Sequence, residues 1–177
     1  MHAFTLLIVL VTFISTVLAD SIYVVNKDTR QRKVCFTPGC RITNGDGTCA
    51  QYYTWYGSFL LNGCSQQRTF MVEADWSGNV KTIWPWEDCG SKISVLGEVT
   101  FDPWWTTNKV WFDVSSIDST DPDQIKQMYP RDDVWNQLSG CFPTFPCNNA
   151  YQKSNDIQTK SVTGLRDIVI NTGNYWC

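Results

Sequence analysis

The sequence predicts an all-β, disulfide-rich antiparallel β-sandwich. Three observations carry that prediction. Short segments of period-2 alternation recur along the chain, separated by clusters of Gly, Pro, Asn and Asp, as half-buried strands joined by turns require. Almost no stretch shows the 3.6-residue periodicity of an amphipathic helix. All 8 cysteines lie behind an apolar N-terminal leader, the pattern of a secreted chain stapled by disulfides.

Residues 1–19 read as a signal peptide. Leu6 to Ile14 is apolar apart from Thr12, and Val17 and Ala19 occupy the −3 and −1 positions of a small-residue cleavage site. The run is shorter than the ~20 residues a membrane span needs. The mature chain is expected to begin at about Asp20 and to form a single secreted, extracellular domain over residues 20–177. The only histidine, His2, lies in the leader. The mature chain therefore lacks the imidazole that His-based acid/base pairs, Ser/His or Cys/His nucleophiles and His-containing zinc sites need. Catalysis in it would rest on carboxylates, Tyr, Lys or a carboxylate-bound cation. We assign no catalytic residue, cofactor or metal from the sequence. A net charge of −3 argues against nucleic acid, whose phosphates need clustered Lys and Arg. The one dense basic run, Arg30 to Lys33, is expected on a solvated turn or strand edge.

In chain order, Ser21 to Asn26 and Lys33 to Phe36 read as an N-terminal hairpin. Asn44-Gly45-Asp46-Gly47 is a strong turn. Ala50 to Leu61 reads as a further strand pair or an exposed loop. Arg68 to Asp75 and Val80 to Trp84 read as a hairpin turning at Trp76 to Asn79. Asp121 and Pro122 offer a cap and a first position for one short helix to Met128, which Pro130 limits to about two turns. Asp167 to Asn171 closes the chain as a strand.

The centre of the chain carries the strongest pattern. Val95, Gly97, Val99 and Phe101 alternate with Glu98, Thr100 and Asp102, and Val110, Phe112 and Val114 alternate with Trp111, Asp113 and Ser115. If these two strands pair, Glu98 and Asp113 project from the wet face, with Asp118 following in the next bend. These three are the acidic-cleft candidates. The chain holds 9 tryptophans, most of them expected in the core. Trp104 and Trp105 are the aromatic-binding candidates, and Trp84-Pro85-Trp86 is a second stretch of that kind.

Cys35, Cys40, Cys49, Cys64 and Cys89 precede the central strands, and Cys141, Cys147 and Cys177 follow them. Both groups are odd, so complete pairing forces at least one bridge across the chain. A local Cys141–Cys147 loop is expected, with Cys177 tied to the N-terminal half. No CxxC spacing occurs to favour zinc.

Gly97-Glu98-Val99-Thr100-Phe101 followed by Trp111-Phe112-Asp113-Val114-Ser115-Ser116-Ile117-Asp118 resembles the strand-and-acid pattern of thaumatin-like proteins. The run through Lys126-Gln127-Met128-Tyr129-Pro130, Ser139-Gly140-Cys141, Phe145-Pro146-Cys147-Asn148-Asn149-Ala150-Tyr151 and Asp156 to Lys160 is similar to a family of small secreted fungal proteins. That family is often labelled as "DNase I"-type and is related to the blastomyces yeast-phase-specific protein. The resemblance covers roughly residues 96 to 165. It implies a thaumatin-like sandwich in which Glu98, Asp113 and Asp118 match the acidic positions of the cleft. DNase I-type chemistry uses a histidine pair, which the mature chain lacks.

Three functions follow from these readings. The first is a non-enzymatic secreted fungal binding protein, an effector, virulence-type or antimicrobial protein acting on a host or competitor. The second is a binder of β-glucan or another cell-wall polysaccharide with weak hydrolase activity, using Glu98 with Asp113 or Asp118. The third is a metal-dependent nuclease. The expected partner is a host protein or a cell-wall polysaccharide, with no nucleic acid, no membrane after signal cleavage, and a monomeric state.

Overall fold

The computed structural model describes residues 20–103, 106, 108–134 and 136–174. Residues 1–19, where the signal peptide is expected, and Trp104, Trp105 and Cys177 lie outside them. The strands are β1 (Asp20–Asn26), β2 (Arg32–Pro38), β3 (Cys40–Thr43), β4 (Cys49–Tyr52), β5 (Ser58–Leu61) and β6 (Gln66–Val72). They continue with β7 (Ser77–Ile83), β8 (Leu96–Phe101), β9 (Lys109–Ser115), β10 (Ile125–Pro130), β11 (Ser139–Gly140), β12 (Lys160–Thr163) and β13 (Asp167–Thr172). Among the described residues there is no helix.

Two sheets stack face to face. One has five strands in the order β11-β10-β13-β1-β6, the other six in the order β12-β9-β8-β7-β2-β5, and β3-β4 form a separate two-stranded finger. Pairing is antiparallel except between β1 and β13. The core is the inward row of each sheet. Ile22, Val24, Met128, Ile168 and Ile170 from the first sheet meet Val34, Val80, Val99, Phe112 and Val114 from the second. Removing such side chains from water is the main stabilising term, about 25 cal/mol per Å² of apolar surface. Phe36 bridges the sheets, with its ring centroid 4.9 Å from that of Phe70 and 6.0 Å from that of Trp76. This is the predicted disulfide-rich β-sandwich. The bridges Cys35–Cys89, Cys40–Cys49 and the expected Cys141–Cys147 are present, and Cys64 is disulfide-bonded as well.

Several local expectations are corrected. β1 and β2 do not form a hairpin: β1 lies between β13 and β6, and β2 between β7 and β5 in the other sheet. The link between them is pinned away from a hairpin path, because Cys64 N donates to Asp28 O at 2.7 Å and Ser65 N to Asn26 O at 2.7 Å. The segments of Ala50 to Leu61 likewise divide between the finger and the six-stranded sheet. β6 and β7 also belong to different sheets, and Trp76 ends a turn that begins at Glu73, donating its N–H to Glu73 O at 3.0 Å, instead of opening one. It is fully buried against Phe36 and Tyr56, and its Nε1 donates to Thr54 O at 3.0 Å. Burying that indole outweighs the local turn preference of Ser77-Gly78-Asn79. The helix expected over Pro122 to Met128 is a turn followed by β10. Asp121 does cap, accepting from Asp123 N at 2.9 Å, but Ile125 and Met128 then enter the core through pairing with β13. Gly140 shows why β11 needs its glycine. Its φ is +78°, and a Cβ there would lie 2.0 Å from Lys126 O.

Candidate functional site

β8 and β9 pair as the alternation requires, and their register sets Glu98 directly opposite Asp113. On its other side Glu98 faces Asn79 of β7, which in turn faces Thr37 of β2. These residues form one row across the outer face of the six-stranded sheet. Directly opposed side chains on neighbouring strands have Cβ atoms ~4.5–5.5 Å apart. The two carboxyls are therefore held together by backbone pairing, not by loop flexibility.

The face is not uniformly wet. Glu98 is half-buried, but Asp113 is only 7% exposed. The segment after Ala150 folds across β9. Tyr151 N donates to Val114 O at 2.9 Å and Ser116 N to Tyr151 O at 2.7 Å, while Tyr151 OH and Thr159 Oγ1 are 2.8 Å apart. Thr159 Oγ1 donates to Asp113 Oδ2 at 3.2 Å. Asp113 Oδ1 is buried and meets no donor. Burial pushes the Asp113 carboxyl up to about 7. The negative charge of Glu98 and a hydrogen bond to it add to the shift, and Thr159 partly opposes it. A carboxyl this buried beside another carboxylate keeps its own proton toward neutral pH. The neighbouring lysine on the same face, Lys81, does not neutralise the pair. Its ammonium donates to Lys92 O at 2.9 Å.

Glu98 lies between two recesses. Along β8 in one direction is Thr100, which with Ser77, Arg41, Tyr53, Asp75 and Asp102 lines a recess of about 510 Å³. The charges in this recess are internally paired. Arg41 bridges Asp75 at 2.7 Å and Glu73 at 3.2 Å, and Asp102 bridges Arg166 at 2.6 Å. In the other direction is Leu96, which with Asn79, Thr37, Lys81, Lys92 and Asp118 lines a recess of about 290 Å³.

The structure thus brings Glu98 and Asp113 together and places Asp118, exposed, in the adjoining recess. Trp104 and Trp105 lie outside the described residues. Sequence reasoning missed Asn79 and Lys81, which the alternation of β7 would have placed on this face. It also missed Thr159 and Tyr151, which reach Asp113 only through the long-range fold and carry no local signal. Among the described residues, no three His, Cys, Asp or Glu side chains converge so as to hold a metal ion.

The basic run also departs from expectation. Arg32 is 1% exposed, and its Nη2 donates to Asp28 Oδ2. Arg30 Nε and Nη2 donate to Asp28 at 3.1 and 2.9 Å, and Arg30 Nη2 also reaches Asp123 at 2.8 Å. Burial alone would raise the Asp28 carboxyl, but the hydrogen bonds from Arg30 and Arg32 overcome it and hold it well below the usual carboxylate range. Arg32 is buried because its aliphatic stem and flat guanidinium fill the space under Trp84, 3.7 Å from that ring's centroid.

No family model matches the chain. The chain is 39% identical over 99 residues to the antigenic protein SchS21 of Stachybotrys chartarum. That match covers 55% of this chain and 65% of SchS21, so the chain spans just under two thirds of that relative. The crystal structure of the protein elicitor MoHrip2 from Magnaporthe oryzae superposes with a TM-score of 0.61 over 88% of this chain and 99% of that one, at 13% identity. The two chains share the fold.

Proposed function

We propose that this chain is a secreted, non-enzymatic effector-type protein of fungal kind. We further propose that its recognition site is the outer face of the six-stranded sheet around Glu98 and Asp113, the target there being a host or competitor molecule. The observation that carries this reading is the register that sets Glu98 directly opposite a buried Asp113. Acid/base cleavage of a glycoside needs its carboxyl groups ~5–5.5 Å apart for retention or ~6.5–9.5 Å for inversion, with the bond or a water between them. Asp113, 7% exposed and with its Oδ1 sealed from solvent, is closed to such a water. What the pair offers instead is a compact acidic patch between two polar recesses, suited to basic or hydroxyl-rich groups of a ligand. The disulfide-dense sandwich suits an oxidising extracellular setting. The likenesses to an antigenic protein and a protein elicitor support an effector-type role. The thaumatin-like kinship rests on the sequence pattern around Glu98, Asp113 and Asp118.

The test is infiltration of purified, oxidised protein into leaf tissue with the oxidative burst as readout, comparing wild type with Glu98→Gln and Asp113→Asn. A wild-type response that both variants lose supports the site. A response that neither variant changes moves recognition elsewhere, and no response to wild type removes the elicitor-like reading.

A further inference from the structure

The Trp84-Pro85-Trp86 turn leaves the end of β7, beyond Ile83 and away from the Glu98–Asp113 row. The two indoles stack with their planes 2° from parallel and centroids 5.3 Å apart. The guanidinium of Arg32 lies 3.7 Å from the Trp84 centroid and that of Arg30 4.5 Å from it. Arginine, Trp84 and Trp86 therefore form a layered stack, anchored at its base by the buried Asp28–Arg32 ion pair. At its top Trp86 is 78% exposed. The turn is also held from the side. Trp84 N donates to Glu87 Oε2 at 2.8 Å, Lys33 Nζ to Glu87 O at 2.6 Å, and Lys92 bridges Glu87 at 2.6 Å. The Cys35–Cys89 disulfide closes the turn against β2. A large apolar ring fixed this firmly and left in water is informative in a way that a mobile surface side chain is not.

Chemistry narrows the occupant. A cation over Trp86 would meet the field of two guanidiniums already spent on the same stack. A nucleic acid would meet a chain of net charge −3. A stable protein interface needs ~800 Å² per partner, far more than one indole rimmed by the charged groups of Glu87, Asp88 and Lys92 supplies. A neutral pyranose fits each constraint. Its flat C–H face matches the size of an indole, and it brings no charge to the guanidinium base of the stack or to the net-negative chain.

We propose that the Trp84–Trp86 stack is a carbohydrate platform that takes the C–H face of a neutral hexopyranose in an oligosaccharide or polysaccharide chain. The site is distinct from Glu98 and Asp113 and does not depend on the reading given to them. The experiment titrates the oxidised protein with laminarihexaose, cellohexaose and chitohexaose, read by calorimetry and by tryptophan fluorescence. Trp86→Ala and Glu98→Gln variants run beside wild type. Because Trp86 is exposed, its removal is expected to leave the denaturation midpoint unchanged, and that midpoint is measured alongside. Saturable binding of at least one sugar by wild type and by Glu98→Gln, weakened about tenfold or more in Trp86→Ala, supports the platform. Wild-type binding of none of the three sugars overturns it. Equal binding by Trp86→Ala overturns it too, as does loss of binding in Glu98→Gln alone, which would put the sugar in the acidic groove.

Discussion

Asp28 and Asp113 are both buried carboxylates on the same sandwich, and their surroundings are opposite. Asp28 accepts hydrogen bonds from two guanidiniums, one of them as buried as itself. Asp113 faces another carboxyl and one hydroxyl, and its own Oδ1 meets no donor. Burial costs a charge dearly unless it is paired. Asp28 is paired, so it stays ionised and holds the β1–β2 crossing to Asp123 and the base of the tryptophan stack. Asp113 is not, so its carboxyl keeps a proton until near neutral pH. The difference separates a structural use of buried charge from an arrangement that only a ligand's donors would complete.

The largest expected effect comes from breaking the paired side of this contrast. Asp28→Asn leaves Arg32 buried without its anion, and losses from such half-removed pairs run to ~3–5 kcal/mol. Urea denaturation at neutral pH should show a loss of that order. A change under ~1 kcal/mol would mean that Asp123, 3.6 Å from Arg32, takes over the pairing.

The next effect is in the pH dependence, where the two carboxylates have opposite signs. Asp28 is lowered from its unfolded value of 3.8, so its stabilisation is complete above that value and is lost as pH falls through and below it. Asp113 is raised from 3.8 to about 7, so the folded state holds the extra proton between those values. The contribution of this carboxyl to stability therefore falls as pH rises from ~4 to ~7, by on the order of 4 kcal/mol in all. Asp113→Asn should flatten that slope, matching wild type near pH 4 and exceeding it in stability at pH 8. Denaturation midpoints at the two pH values check this, and a variant less stable than wild type at pH 8 would show that the ionised carboxylate is compensated after all.

How far these sites were legible in the sequence depends on how local their causes are. The pairing of Glu98 with Asp113 was readable because two strictly alternating strands joined by a short link have one sensible register. The Cys141–Cys147 bridge was readable because the loop is short. The sheet assignments of β1, β2, β6 and β7 were not. Alternation identifies a strand and its inward face but does not say which sheet receives it, and here β1 and β2, and likewise β6 and β7, go to opposite layers. Trp76 reads as the start of a turn until the cluster of Phe36, Tyr56 and Phe70 is assembled around it. Arg32 reads as surface charge until Asp28 and Trp84 enclose it. Asp113 reads as solvated until Tyr151 and Thr159 fold over it. In each case at least one deciding neighbour is remote in the chain: Phe36 for Trp76, Trp84 for Arg32, Thr159 for Asp113.

Two smaller changes sharpen the unpaired side. Glu98→Gln removes the neighbouring negative charge but leaves the burial, which is the larger cause. The Asp113 titration midpoint, followed by carboxyl carbon NMR, should fall by about a unit and remain above that of a solvated aspartate. An unchanged midpoint would show that burial alone holds the Asp113 proton and that Glu98 takes no part.

Thr159→Ala acts in the opposite direction and more weakly. The hydroxyl donates to Asp113 Oδ2 and so favours the ionised carboxylate, which makes it the donor that the segment folded over β9 supplies. Without it the Asp113 midpoint should rise by a fraction of a unit. The stability cost should be ~1 kcal/mol at pH 8, where the carboxylate needs the donor, and smaller near pH 4, where the protonated acid does not. If the cost is the same at both pH values, Thr159 serves only to pack the loop through Tyr151. The ionised form of Asp113 would then depend on whatever donor a bound ligand brings.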